Sequence, residues 1–165
     1  MQVLPANTPV TATSNQSWLT ITSTTGGSIA FSFTASTSVN NRSAQITVMG
    51  LQVVTITQNG DVPSGITKTA GTGQSAVIGK AFATALQVRV KDAAGNALPN
   101  ASVTFTAVAG AKGCDGTFSS SAPVLTNSTG YATASKLTAN NIAGTFTVNA
   151  TVGNLTTSFT MTVKQ

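Results

Sequence analysis

Apolar positions in this chain recur at every second residue rather than every third or fourth. Leu86, Val88 and Val90 alternate with Gln87, Arg89 and Lys91, the period of a strand with one buried and one wet face. Residues 92–100 then offer Asp, Gly, Asn and Pro, which suit turn dihedrals, and Val103 and Phe105 restart the alternation. An antiparallel pair joined by a firm turn is predicted there. Earlier in the chain the same reasoning predicts strands over 18–22, over 29–35 (Ile29, Phe31, Phe33, Ala35), over 44–48 (Ala44, Ile46, Val48) and over 53–57. The last two flank Gly50 and should form a hairpin.

Residues 1–12 read as an extended polar arm, an edge strand or a free tail, in which Pro5 and Pro9 block a helix. Residues 59–65, NGDVPSG, mark a linker. Beyond it comes a first strand split at Gly71-Thr72-Gly73, then strands over 82–91 and 102–108. A loop over 110–121 holds Cys114 and Asp115. A short strand over 124–126, one over 131–138, and a final pair about Gly153-Asn154 complete the chain. The last pair carries Phe146, Val148, Ala150 and Val152 on one side and Phe159, Met161 and Val163 on the other. No amphipathic helix pattern occurs. Short strands at this spacing predict packed sheets, and the linker divides them into domains at 1–60 and 61–165.

Composition strengthens the all-β reading. Only 7% of the residues are charged, against about 25% in an ordinary soluble domain. Thr and Ser take the polar positions instead, and Thr suits a pleated exposed surface. The net charge of +5 reflects scarce acids more than a basic patch. Arg42, Lys68, Lys80, Arg89, Lys91, Lys112, Lys136 and Lys164 are scattered, which argues against a nucleic-acid partner. No apolar run has the length of a membrane span, so no direct membrane insertion is expected. The opening MQVLPANTPV lacks the segments of a signal peptide, as a mature form or an excised piece of an exported chain would.

Candidate chemistry is sparse. Without His or Glu a Ser-His-Asp triad, a histidine metal site and most carboxylate pairs cannot be assembled, and the chain is read as no enzyme. Asp61 and Asp115 are too dispersed to supply calcium's six to eight oxygens, so no metal and no cofactor are expected. Asp92 should cap its own turn. The lone Cys114 cannot form an intrachain disulfide and reads as a buried or idle thiol. Trp18 and Tyr131 are the ligand-binding candidates. Trp18 could stack on a pyranose or fill the first core, and Tyr131 could bind a ligand or pack a sheet edge. N-x-S/T sequons begin at Asn15, Asn41, Asn100, Asn127, Asn149 and Asn154, acceptors only where the source glycosylates exported proteins. No Lys–Asn isopeptide cross-link is expected.

Two family resemblances follow from these segments. GTGQSAVIGKAF, LQVRVKDAAGNALPNASVTFTA, LTNSTGYATA and AGTFTVNATVG stand in the order of the bacterial Ig-like domain group 1, the invasin/intimin-type repeat, which residues 64–163 resemble. SNQSWLTIT, NNRSAQITV and VVTITQNG make residues 8–59 similar to the BACON domain. The resemblances imply two tandem immunoglobulin-like β-sandwich domains with no catalytic motif. They also imply an extracellular, cell-surface or virion-surface setting. The expected role is a spacer or display element in adhesion, with neighbouring Ig-like domains of a longer chain, or copies of itself, as partners. The alternatives are a module in the first domain that binds cell-surface glycans, and a pilus or virion subunit whose residues 1–10 complete a neighbour's sheet.

Overall fold

The computed structural model describes residues 10–165. The expected role of residues 1–10 in strand exchange falls almost wholly outside them. Contacts between Cα atoms divide the chain into two compact units. One comprises the residues up to Ser36 with Asn40–Gly60, and the other Thr37–Val39 with Asp61–Gln165.

The first unit holds β1 (Ala12–Ser14), β2 (Leu19–Ser23), β3 (Ala30–Phe33), β4 (Arg42–Val48) and β5 (Gln52–Gln58). They form one sheet in the order β1-β4-β5 and a second of β2 and β3. Alternation places Ala44 and Ile46 of β4 inward against Leu19, the three buried apolar residues among those described in this unit, with Trp18, Ile21, Val48 and Ile56 around them. The hairpin expected at Gly50 is present, with Val48 paired to Gln52. Met49 and Gly50 both take positive φ, and Leu51 N–H donates to Val48 O at 3.1 Å. Those are the features of a type I′ turn, whose twist matches that of the flanking strands. β3 departs from expectation. Its alternation predicts a buried face, yet all four of its residues are exposed, and among the described residues only β2 pairs with it.

The second unit contains β6 (Gly65–Ala70), β7 (Ser75–Val77), β8 (Gln87–Lys91), β9 (Ser102–Val108), β10 (Gly116–Phe118), β11 (Val124–Leu125), β12 (Tyr131–Thr133), β13 (Leu137–Ala139), β14 (Gly144–Val152) and β15 (Leu155–Lys164). Among the described residues the only helical element is the three-residue 3-10 turn Ala111–Gly113. One sheet runs β11-β9-β14-β15-β7, a second β12-β8-β6, and β10 pairs with β13. A single core joins them: Val88 and Val90 of β8, Val103 and Phe105 of β9, Phe146 and Val148 of β14, and Phe159 and Met161 of β15 belong to one buried cluster. The Gly153-Asn154 hairpin and the strand broken at 71–73 are as the sequence indicates.

Two local expectations are corrected. The segments 86–91 and 102–108 do not pair with each other, because β8 pairs with β6 and β12 while β9 pairs with β14 and β11. Their connection carries Leu98 and Ala101, both buried, so it crosses the core from one sheet to the other instead of closing a hairpin. The strand expected over 131–138 is two, β12 on β8 and β13 on β10, with Ala134 N–H donating to Leu86 O between them. Finally, β7 runs parallel to β15, unlike the antiparallel pairs that the sequence predicts elsewhere. Alternation reports which face is wet; it does not report strand direction.

Candidate binding surfaces

Trp18 stands immediately before β2 and is half-buried against the first core. Arg42, at the start of β4, lies over the indole with its guanidinium carbon 4.4 Å from the ring centre. Such cation–π contact stabilises by about 0.5–1 kcal/mol at exposed sites. The guanidinium is fixed by its other bonds. Nε donates to Gln58 Oε1 at 2.7 Å, and Nη2 donates to Thr34 O at 2.6 Å and to Ala35 O at 3.2 Å. Gln58 Nε2 donates to the same Thr34 carbonyl. One face of the indole is thus occupied by a held cation, and a stacking ligand has only the other.

Tyr131 opens β12 in the second unit, also half-buried, with the Arg89 guanidinium 5.4 Å from its ring centre. Arg89 and Tyr131 are directly opposed across β8 and β12, and Arg89 Nε donates to Thr129 O. The two aromatic candidates therefore belong to different units, each paired with an arginine of its own sheet or network.

The acids stay apart. Among the described residues no group of three or more His, Cys, Asp and Glu gathers as a metal site. Asp92 accepts from Asn96 N–H at 2.8 Å and from Asn96 Nδ2 at 3.0 Å, the turn cap read from the sequence. Burial alone raises its pKa, but the hydrogen bonds from Asn96 and from the Ala94 and Gly95 backbone prevail and hold the carboxyl below its ordinary value. Asp115 accepts from Gly116 N–H. Cys114 is fully buried; burial first, and the charge of Asp115 second, push its thiol pKa up.

Two concave surfaces escaped the sequence reading. In the second unit a cleft of about 750 Å³ opens between Thr104–Ala107 of β9 and residues 115–122. Hydroxyl groups of Thr and Ser rim it, and Phe105 and Phe118, ring centres 6.3 Å apart, supply apolar surface. In the first unit a smaller cleft of about 170 Å³ is lined wholly by apolar side chains, Ile29, Phe31, Ile46, Val48, Val54 and Ile56. The consecutive Val53-Val54 was the available signal for it. Neighbours in a strand point to opposite faces, so a Val-Val pair on an edge leaves apolar surface on each.

Residues 8–59 match the BACON family model, described as a putative binding domain, N-terminal. No curated protein matches the chain. Among solved structures, the adhesin InvE of Yersinia pseudotuberculosis aligns with a TM-score of 0.64 and 21% identity over 94% of this chain. The alignment takes in 49% of the InvE chain, so the present chain spans about half of it. Domains 4 and 5 of the S-layer protein SbsC align at 0.45 with 18% identity, over 100% of this chain and 82% of theirs. The D00-D0 domain of Intimin aligns at 0.44 with 13% identity, over 99% and 89%. The InvE likeness bears on fold, and there it accords with the invasin/intimin-type resemblance of the second half. No helix among the described residues is long and apolar enough to cross a membrane.

Proposed function

We propose that the chain is a non-enzymatic structural element of an extracellular surface protein. In this reading residues 1–60 are a BACON-like sandwich and residues 61–165 an Ig-like sandwich, acting in tandem to space and display a binding element in adhesion. The observation that carries it is the parallel pairing of β7 with β15. Ser75, Ala76 and Val77 lie beside Thr162, Val163 and Lys164, and the ladder continues at each end through Thr162 N–H to Gln74 O and Ile78 N–H to Lys164 O. A strand near the start of the second unit is thus clamped to the strand that ends it. Tension applied between the two loads these hydrogen bonds together, in shear, whereas tension across a hairpin opens them one at a time. That arrangement suits a load-bearing spacer.

The weakly charged Thr-rich faces and the absence of His and Glu support the same reading. Partners would be neighbouring Ig-like domains of a longer chain, and the setting the cell or virion surface. A second reading, glycan binding by the first unit, draws on the family's description as a putative binding domain and on the half-buried Trp18. Titration with mucin-type sugars followed by tryptophan emission separates it from a pure spacer. The spacer itself is tested by stretching the chain from its ends.

A further inference from the structure

Among the described residues the outer edge of β5 carries none of the usual protection. Among the described residues β5 pairs with β4 on one side only. Its seven residues, QVVTITQ, include no charge, no Pro and no Gly, and Val53 and Val54 are 53% and 44% exposed. Edges of this kind template further strand pairing, and proteins that keep them free guard them with Lys, Pro or a bulge.

The same seven residues read almost alike in both directions about Thr55. Gln52 mirrors Gln58, Val53 mirrors Thr57, and Val54 mirrors Ile56. Two β5 strands laid antiparallel on a two-fold axis at Thr55 would set Gln against Gln, Val against Thr, Val against Ile and Thr against Thr. Cross-strand pairs of β-branched residues are favourable. Val54 and Ile56 also line the apolar cleft, so a second copy prolongs that inner face beyond its present edge. Electrostatics permit the approach, since Arg42 is the only charged residue before Asp61.

We propose that two copies of this chain associate through β5, antiparallel and two-fold symmetric about Thr55, forming one continuous sheet in the order β1-β4-β5-β5-β4-β1. The contact is isologous and closes on itself, so it ends at a dimer rather than a fibre. The three-residue β1 is left as each outer edge, too short to template much pairing. The association is separate from the spacer role and would survive its failure.

Sedimentation of the whole chain should give twice the monomer mass at high concentration. Thr55→Cys should then cross-link the dimer on mild oxidation, because the axis brings each position 55 opposite its twin, with Cβ atoms about 4.5–5.5 Å apart. Gln45→Cys is the control. Gln45 is the register partner of Thr55 on β4, three strand spacings or about 14 Å from its twin, and should not cross-link. Cys114 is buried and does not compete. Thr55→Lys sets like charges face to face and should raise the dissociation constant about tenfold or more, with unchanged Trp18 emission showing that the unit remains folded. A monomer at all concentrations overturns the proposal. So does a dimer that Thr55→Cys fails to cross-link, fibres in place of a dimer, or an association abolished by deleting residues 1–9.

Discussion

Leu98 O accepts a 2.6 Å hydrogen bond from Oγ1 of Thr126, a residue 28 positions further along the chain. The Thr126 hydroxyl oxygen in turn accepts from Ala101 N–H at 2.9 Å. The Thr126 backbone adds two bonds, its N–H donating to Ala101 O and its carbonyl accepting from Asn100 N–H. Four bonds from one threonine thus hold the segment that carries the chain from β8 across to β9.

Thr126→Val keeps the shape and removes two of these bonds in a buried place. The Ala101 N–H loses its acceptor, and an unsatisfied buried donor costs about 1–3 kcal/mol. Denaturant unfolding of the second unit, followed by the fluorescence of its lone tyrosine, Tyr131, should show a loss of that size. The tryptophan-reported transition of the first unit should not move.

That crossing shows where sequence reading stops. Alternation at Leu86, Val88 and Val90 and the turn chemistry of Asp92 to Asn96 were legible because each is set by neighbours a few residues away. Which sheet β9 joins was not legible, since it depends on Leu98 burying itself between layers and on a threonine far along the chain. The parallel setting of β7 on β15 was hidden for the same reason. At the candidate site, Trp18 and Tyr131 stood out as the single Trp and Tyr. The arginine over Tyr131 is a product of cross-strand register, and the one over Trp18 comes from a strand of the other sheet. The exposure of all four β3 residues depends on how the rest of the unit packs, which no local pattern records.

Arg42→Ala should uncover Trp18. The substitution removes the contact over the ring and the bonds to Thr34, Ala35 and Gln58, together about 1–3 kcal/mol for a part-exposed charged group. Tryptophan emission should shift to the red and become more accessible to iodide. If the first unit binds glycans through the indole, affinity should change with the freed face; if it is a spacer, sugars should leave the emission of both proteins unmoved.

Asp92 gives the pH dependence. Its carboxyl titrates below the unfolded value in the folded chain, and the unfolded value is about 3.9. A depressed folded pKa contributes stability that is present above the unfolded pKa and is lost as pH falls through the folded one. The melting temperature of the second unit should therefore hold steady near neutrality and decline below about pH 4. Asp92→Asn should have a lower melting temperature at neutral pH and a shallower acid decline.

Cys114 should be inert in the folded chain. It is fully buried and its thiol is held in the protonated form, while the thiolate is the reacting species. A chromogenic disulfide reagent at neutral pH should modify less than about a tenth of the native protein in the time that fully labels it in denaturant. Rapid labelling of the native chain would show that the loop around Cys114 opens.

Stretching the whole chain by its ends in a single-molecule force instrument loads β15 against β7 once β6 has peeled from β8. In the first unit the first and last strands among the described residues, β1 and β5, do not pair with each other but flank β4. Two rupture events are expected, and the one releasing the longer, second unit should need the higher force. Ala76→Pro, which removes a backbone donor from the middle of β7, should bring that force down. A second unit that yields at or below the force of the first, or whose rupture is indifferent to Ala76→Pro, would contradict the load-bearing role.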